Sequence, residues 1–566
     1  MINDLRRLLA MGVATPLRAL HRGLHAVQTG RHAILEVTIE DGTDLHGRQA
    51  LLTALERVRH DDRVEAVLFQ VEGAPGGRAA IQDLRAAILA VADAGKATYA
   101  MLQSATNATM WIASAAQHVF LVPTGDVNLV GYGTELLFFG AALERLGLRA
   151  DVEAAGEYKS AGEMFTRSFA SPANLEATDV LLGDLQDQLD VDLMASRGLA
   201  REQLDAVYAA APLSAEEAVV SGLVDRLLYA DQLDTWLAEH HGERAKRIPI
   251  AQWSRRVARL ENLARWGDDT RAIVVVHLEG PIVMDEKRAR RVIRAKQVVP
   301  LLDELREDDD VAAVVLQINS PGGGVLPSDL IWRAVDRLRQ EKPVVASFED
   351  VSASGGVYLS APATEVVARP GTITGSVGVV GMKFVAGEGM RRLGVMSQAV
   401  LKAPNATLFS VTSPFTDAQR ERFREQLQRW YDGFVHRVAS GRGKADEAIE
   451  PFCRGRVWTG RMALERGLVD RIGTLADAIE RARVLAGLPP RVRRLDLDAQ
   501  PDSWRQRLIR QLLDGSPLPV GATLSLAERV VGRALGTQAM ERVDFLLEHE
   551  GQALALLPFQ IDEPRR

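Results

Sequence analysis

The 566-residue chain has one cysteine, Cys453. A single thiol excludes an intrachain disulfide and any zinc site built on several cysteines. Lysine is scarce as well: of 68 basic residues nine are lysines and 59 are arginines. Such a sequence uses arginine for generic positive charge, so each lysine raises a functional question, because lysine can give up its proton and arginine cannot. There are 11 histidines, few of them in the second half and none in a recognisable triad motif. The formal net charge of −7 offers nothing to nucleic acid. Long apolar runs are missing near the start, where the longest uncharged stretch is LLAMGVATPL, residues 8–17. That falls well short of the roughly 20 residues needed to span a bilayer. Arginines resume directly after it and no small-residue cleavage site follows, which argues against a signal peptide. Residues 1–30, basic and amphipathic, read either as a helix lying on an anionic membrane or as one packed on its own protein.

What is present is a repeat. VEAVLFQ at 64–70 and VAAVVLQ at 311–317 are each followed by proline and glycines, EGAPGG in one case and NSPGGG in the other. The offset of 247 recurs at Pro123 and Pro370, at Gly131 and Gly378, and at Leu146-Gly147 and Leu393-Gly394, while GLVDR occurs at 222–226 and again at 467–471. One register held over so many positions indicates a tandem duplication. Each copy opens on a β-branched run (AILEVTI, AIVVVHL) and then alternates helical and strand-like segments. That order predicts parallel βαβ units and an α/β fold. The expected division is an amphipathic segment 1–30, a first copy 31–245, a helical linker 246–269, a second copy 270–490 and an extension 491–566 of about three amphipathic helices.

Where the copies differ, they suggest a division of labour. In DVSASGGVYLSAPA, residues 350–363, Ser354 precedes two glycines; its counterpart 247 residues earlier is Asn107. A serine presented this way is a candidate nucleophile or merely a helix N-cap, a role asparagine fills equally well. The glycines of NSPGGG leave backbone N–H groups unobstructed and suited to an oxyanion, and Gly355 N–H at the helix start is a second candidate donor. Lys159, in GEYKSAGEMF, has Ala406 as its counterpart. The serine is therefore confined to copy two and the lysine to copy one, as expected of a dyad assembled between related units. The lysine serves as a base only when neutral. Moving its pKa from about 10.4 to about 7 costs on the order of 4–5 kcal/mol, which burial between two units can supply. Ser376, in GTITGSVGVVG, is also unmatched, standing opposite Leu129. Its hydroxyl either positions the lysine amine or simply ends a strand.

Together NSPGGG, DVSASGGVYLSAPA, RPGTITGSVGVVG and GEYKSAGEMF make the chain resemble the signal peptide peptidase A family of the long, duplicated bacterial type, over about residues 31–490. These are serine–lysine peptidases of family S49 on the ClpP/crotonase fold. The resemblance implies Ser354 as nucleophile, Lys159 as general base, Ser376 as the lysine's hydrogen-bond partner, and an oxyanion hole at the backbone of Gly323 and Gly355. It implies no metal and no cofactor. It also implies a ring-like homo-oligomer, a tetramer among the candidates, that digests signal peptides and other apolar extended peptides. Family members of this length usually carry an N-terminal transmembrane anchor, and none is visible here. Two locations are thus left open: attachment to the bacterial inner membrane, with contact through residues 1–30, or the cytoplasm. Two other readings stand beside the peptidase: a crotonase-like acyl-CoA enzyme, and a membrane-associated scaffold without activity.

Overall fold

The computed structural model describes residues 33–43, 45–242, 246–264, 271–286, 291–490, 492–498 and 553–556. The first half gives, in chain order, β1 (Ala33–Ile39), α1 (Leu45–Arg59), β2 (Val64–Val71), α2 (Arg78–Asp93), β3 (Ala97–Leu102), α3 (Asn107–Ala113), β4 (His118–Leu121), β5 (Arg149–Ala155), α4 (Pro172–Arg197), β6 (Arg226–Leu227) and β7 (Lys246–Pro249). All but β5 of these strands form one sheet in the order β7-β1-β2-β3-β4-β6, with every neighbouring pair parallel.

The second half follows with β8 (Ala272–Glu279), β9 (Ile282–Val283), β10 (Val311–Ser320), β11 (Gly322–Gly324), α5 (Val325–Glu341), β12 (Val344–Ala353), α6 (Gly355–Ser360), β13 (Glu365–Ala368), β14 (Ile373–Gly375), β15 (Val379–Val385), α7 (Asp417–Gly441), β16 (Val457–Thr459), β17 (Arg471–Ile472), β18 (Arg493–Asp498) and β19 (Ala553–Leu556). Here β18-β8-β10-β12-β13-β17 repeats the first order strand for strand, again all parallel. β10 is nearly continuously buried, as expected of a central parallel strand covered on both faces. One face of α2 does the same for the first sheet, burying Ile81, Leu84, Ile88 and Val91 at helical spacing.

A third sheet crosses between the halves, in the order Ile293–Arg294, β9, β11, β19, β15, β5. Its outer pair carries most of the consequence. β5 of the first half runs antiparallel to β15 of the second, from Val379 opposite Ala155 to Val385 opposite Arg149.

Buried charge reinforces this junction. α2 begins after Gly77, which has no side chain to cap it. The cap comes from the other half: the Asp350 carboxylate accepts the N–H groups of Gly77, Ala79 and Ala80 at 2.9, 2.8 and 3.2 Å. A carboxylate at a helix N-terminus satisfies orphan donors and meets the positive end of the dipole. Beside it, Asp83 of α2 pairs with Arg369, both buried. Glu349 shares this pocket, 3.4 Å from Arg48. Burial pushes the Glu349 carboxyl up to about 7, Arg48 opposing and Asp350 reinforcing the shift. The folded state thus binds this proton more tightly than the unfolded chain. The associated stability is complete below about pH 4.5 and is lost as pH rises through about 7, a total of ~3 kcal/mol. Glu349→Gln should abolish that loss. Urea midpoints of wild type and variant should diverge between pH 5 and 8, the variant becoming relatively more stable at pH 8; parallel curves would refute the assignment.

Two sequence expectations change. Residues 246–269 do not form a helix throughout: Lys246–Pro249 is the edge strand β7, paired with β1, and a helix follows at Ile250–Ala264. The amphipathic run after it carried a stronger pattern than four residues at a sheet edge. Within 491–566, expected to be helical, the described residues are strands, β18 on β8 and β19 between β11 and β15. Edge and inserted strands owe their conformation to a partner, which local periodicity does not reveal. The rest of that extension and the amphipathic segment 1–30 lie outside the described residues.

Candidate active site

Ser354 stands at the turn from β12 into α6, with φ 52° and ψ −111°. Positive φ is uncommon for a residue with a Cβ and costs energy that the surroundings must supply. The side chain makes no capping hydrogen bond. At the matching helix of the first half, by contrast, Thr106 caps α3 by accepting from Thr109 N–H. The N-cap reading of Ser354 is therefore overturned. The tight turn presents its hydroxyl away from the helix backbone.

The glycines around it are required by close approach. A Cβ on Gly355 would lie 2.8 Å from Ser328 Oγ and 3.1 Å from Gly323 N, and one on Gly323 would lie 2.1 Å from the Ile282 carbonyl oxygen. β9, which carries Ile282, belongs to a connection longer than its β1–β2 counterpart. The absence of side chains lets the Gly323 and Gly355 backbones converge beside Ser354.

Lys159 arrives from the other half. The β5–β15 pairing ends at Ala155 and Val379, so the loops holding Lys159 and Ser376 leave the sheet at one edge. Lys159 Nζ lies 2.9 Å from Ser354 Oγ, 2.9 Å from Ser376 Oγ and 2.9 Å from the Ser376 carbonyl oxygen. All three residues are buried, and Ser376, like Ser354, has a φ of 52°. The structure thus brings together all five residues singled out in the sequence, within one chain.

Sequence reasoning missed the clamp on this arrangement, the loop 453–456. Tyr158 N–H donates to the Arg454 carbonyl at 2.7 Å, Gly455 N–H to that of Val377 at 2.7 Å, and Ser376 N–H to that of Arg456 at 2.6 Å. Gly455, at φ +78°, passes so close that a Cβ would lie 2.5 Å from Lys159 N. A glycine between two arginines carries no signal of this in sequence. Cys453 in the same loop is buried, which pushes its thiol up to about 12 and leaves it protonated and unreactive. A cleft of about 660 Å³ opens beside Lys159, lined by Val152, Ala154, Gly156, Phe165 and Arg420. Among the described residues no group of three or more His, Cys, Asp or Glu could hold a metal.

Comparison with known proteins identifies a family. The model of Peptidase family S49 matches residues 90–244 and 336–489, more than half of the chain. The chain is 28% identical over 446 residues to "Serine protease SPPA, chloroplastic" of Arabidopsis thaliana, covering 76% of this chain and 65% of that protein. It is also 28% identical over 454 residues to "Protease 4" of Salmonella typhi, covering 77% of this chain and 72% of that one. Among solved structures, a point mutant of ClpP1 from Listeria monocytogenes aligns at 18% identity over 37% of this chain and 95% of its own, with a TM-score of 0.25. The chain belongs to Peptidase family S49.

Proposed function

We propose that the chain is a serine endopeptidase in which Ser354 is the nucleophile, Lys159 the general base and Ser376 the residue that positions it. The observation that carries this reading is the 2.9 Å contact between Lys159 Nζ and Ser354 Oγ in a buried site. A neutral amine has two N–H donors and one lone pair. Ser376 O and Oγ accept the donors, and the lone pair takes the Ser354 proton as Oγ attacks the peptide carbonyl. The oxyanion is received by the N–H groups of Gly323 and Gly355. Lys159, now an ammonium, gives its proton to the departing amine and an acyl-enzyme remains. Water, losing a proton to the same lysine, then releases the acyl group and restores Ser354.

The two similar sheets support a tandem pair of ClpP/crotonase-like units, the first at about 31–245 supplying the lysine and the second at about 270–490 the serine. The substrates proposed are signal peptides and other apolar, extended peptides, which the resemblance of the motifs and the glycine-lined, small-residue surroundings of Ser354 support. The assembly proposed is a homo-oligomeric ring. The offset of 247 maps β5 onto residues 396–402 and β15 onto 132–138, and neither segment is in a strand. Residues 396–402 are exposed throughout, Val400 at 83%. Pairing 396–402 of one chain with 132–138 of the next repeats the β5–β15 junction between chains. Among the described residues no helix is long and apolar enough to cross a membrane; attachment through residues 1–30 stays part of the proposal.

An acyl-CoA enzyme would put a carboxylate in the place of Lys159 and would have no use for Ser354. The test is labelling of the purified protein with a fluorophosphonate probe. Wild type should label and Ser354→Ala should not; equal labelling of both would remove Ser354 as the special nucleophile.

A further inference from the structure

Tyr358 stands one turn beyond Ser354 on α6, where its N–H donates to the Ser354 carbonyl at 2.9 Å. The side chain is buried, and its hydroxyl donates to Asp329 Oδ1 at 2.8 Å. Burial, reinforced by the bond to Asp329, raises the phenol well above the usual tyrosine range, so the proton stays on the hydroxyl. Asp329 lies on α5, and Arg437 of α7 donates to the same Oδ1 through Nε at 3.0 Å. The guanidinium carbon sits 3.9 Å from the Trp332 ring centroid. Phenol, carboxylate and guanidinium thus close a clasp beside the helix that follows Ser354.

The first half builds a similar clasp with the charges exchanged. At the matching position Trp111 Nε1–H donates to Asp192 Oδ2 at 2.8 Å, and Arg85 Nε donates to the same oxygen at 3.2 Å. There the arginine lies on α2 and the carboxylate on α4; in the second half the carboxylate lies on α5 and the arginine on α7. The aromatic side chain therefore ties α3 to α4 in one half and α6 to α5 in the other. That difference falls where the chemistry is. α5 starts at Val325, directly after Gly322–Gly324, and α6 starts at Gly355. The Tyr358–Asp329 bond joins the two helices whose beginnings adjoin the oxyanion donors. At their near ends, Ser328 Oγ donates to the Gly324 carbonyl at 2.8 Å and lies against Gly355.

We infer that Tyr358 and Asp329 are positioning residues: their hydrogen bond sets the distance between the Gly323 and Gly355 N–H groups, and Arg437 holds the carboxylate in place. The inference rests on the peptidase reading and adds to it what keeps the oxyanion hole at its working width. Donors of this kind act when each lies ~2.7–3.1 Å from the developing oxyanion. With six residues, α6 is too short to hold its own orientation. Its start is also strained by the positive φ of Ser354. A side chain anchored to α5 supplies what the short helix cannot. Because both residues act through the glycines, losing their bond should weaken the transition state and leave substrate binding intact.

The test is hydrolysis of a chromogenic peptide by the full chain, with fluorophosphonate labelling rates measured beside it. In labelling, Ser354 Oγ passes its proton to Lys159 and displaces fluoride from phosphorus, while the phosphoryl oxygen sits in the same hole. The labelling rate therefore reads the donors without a peptide. Tyr358→Phe should lower kcat and the labelling rate by a similar factor, ~10-fold or more, at unchanged KM. Asp329→Ala should match it, and the two together should cost little more. Asp329→Asn keeps an acceptor for the phenol and should retain most of the wild-type activity. Trp111→Phe removes the matching bond of the first half and should leave kcat unchanged, whatever it does to the denaturation midpoint. An unchanged kcat in Tyr358→Phe, or a loss carried by KM, would overturn the inference and leave the peptidase reading intact. Equal losses in Asp329→Asn and Asp329→Ala would do the same by placing the effect in the ion pair with Arg437. So would equal losses of kcat in Tyr358→Phe and Trp111→Phe, which would make both clasps general scaffolding. A wild type that neither labels nor hydrolyses would remove the peptidase reading, and this inference with it.

Discussion

Lys159→Arg should abolish peptide hydrolysis as completely as Lys159→Ala, lowering kcat by ~10²–10⁴-fold, the usual share of a general base. The arginine variant retains the positive charge and the long stem, so an effect due to charge or packing alone would leave it partly active. Proton removal would not, because guanidinium stays protonated throughout the accessible pH range. The space around the amine is closely defined: Nζ meets three oxygens at 2.9 Å in a buried site, and Gly455 presses on the residue's backbone. A planar fork is a poor substitute for one nitrogen in that space. Because base and nucleophile act as a unit, adding Ser354→Ala to Lys159→Arg should cost almost nothing further. Initial rates on a chromogenic peptide, with folding checked by circular dichroism, decide the matter. Appreciable activity in Lys159→Arg would rule out the lysine as base.

The legible parts of the site were those in which the two copies disagree. Ser354 against Asn107 and Lys159 against Ala406 stood out because a repeat supplies an internal control. The central strands were legible for a related reason: parallel strands covered on both faces are continuous apolar runs, as in VAAVVLQ. What stayed hidden depends on partners far away in the chain. The Asp350 carboxylate caps a helix more than 250 residues earlier, and nothing in DVSASGG points there. Gly455 is needed only because Lys159 lies against it. The strands β7 and β19 are short and take their conformation from the edge or slot that receives them. The positive φ of Ser354 and Ser376 breaks the local preference of both residues, and such violations are expected where a fold spends stability on function.

The junction that aligns the dyad should be the most costly place to disturb stability. Arg369 Nε donates to Asp83 Oδ1 at 2.9 Å and its Nη2 to Oδ2 at 2.6 Å, while Nη1 reaches Ser347 Oγ at 2.9 Å and the Phe348 carbonyl at 2.5 Å. Burial works against the guanidinium charge, but Asp83, together with the nearby Glu349 and Asp350, outweighs it and holds the group above its ordinary range. Asp83→Ala leaves that charge buried with only neutral groups accepting its hydrogen bonds, Glu349 and Asp350 acting from further off, and should destabilise the protein by ~3–5 kcal/mol. Replacing the pair together, Asp83→Leu with Arg369→Met, should recover much of the loss, since the removed charges no longer need solvating. Denaturant midpoints of the two singles and the double measure the coupling; additive losses would mean that the pair is not a unit. The effect should reach the site as well. Arg369 leads through Pro370 and Gly371, whose N–H donates to Gln82 Oε1 at 2.8 Å, into β14 and Ser376. Well below its own midpoint, Asp83→Ala should therefore label more slowly with the fluorophosphonate probe than the Leu–Met double, because only the single variant leaves an unpaired charge pulling on the strand that ends at Ser376.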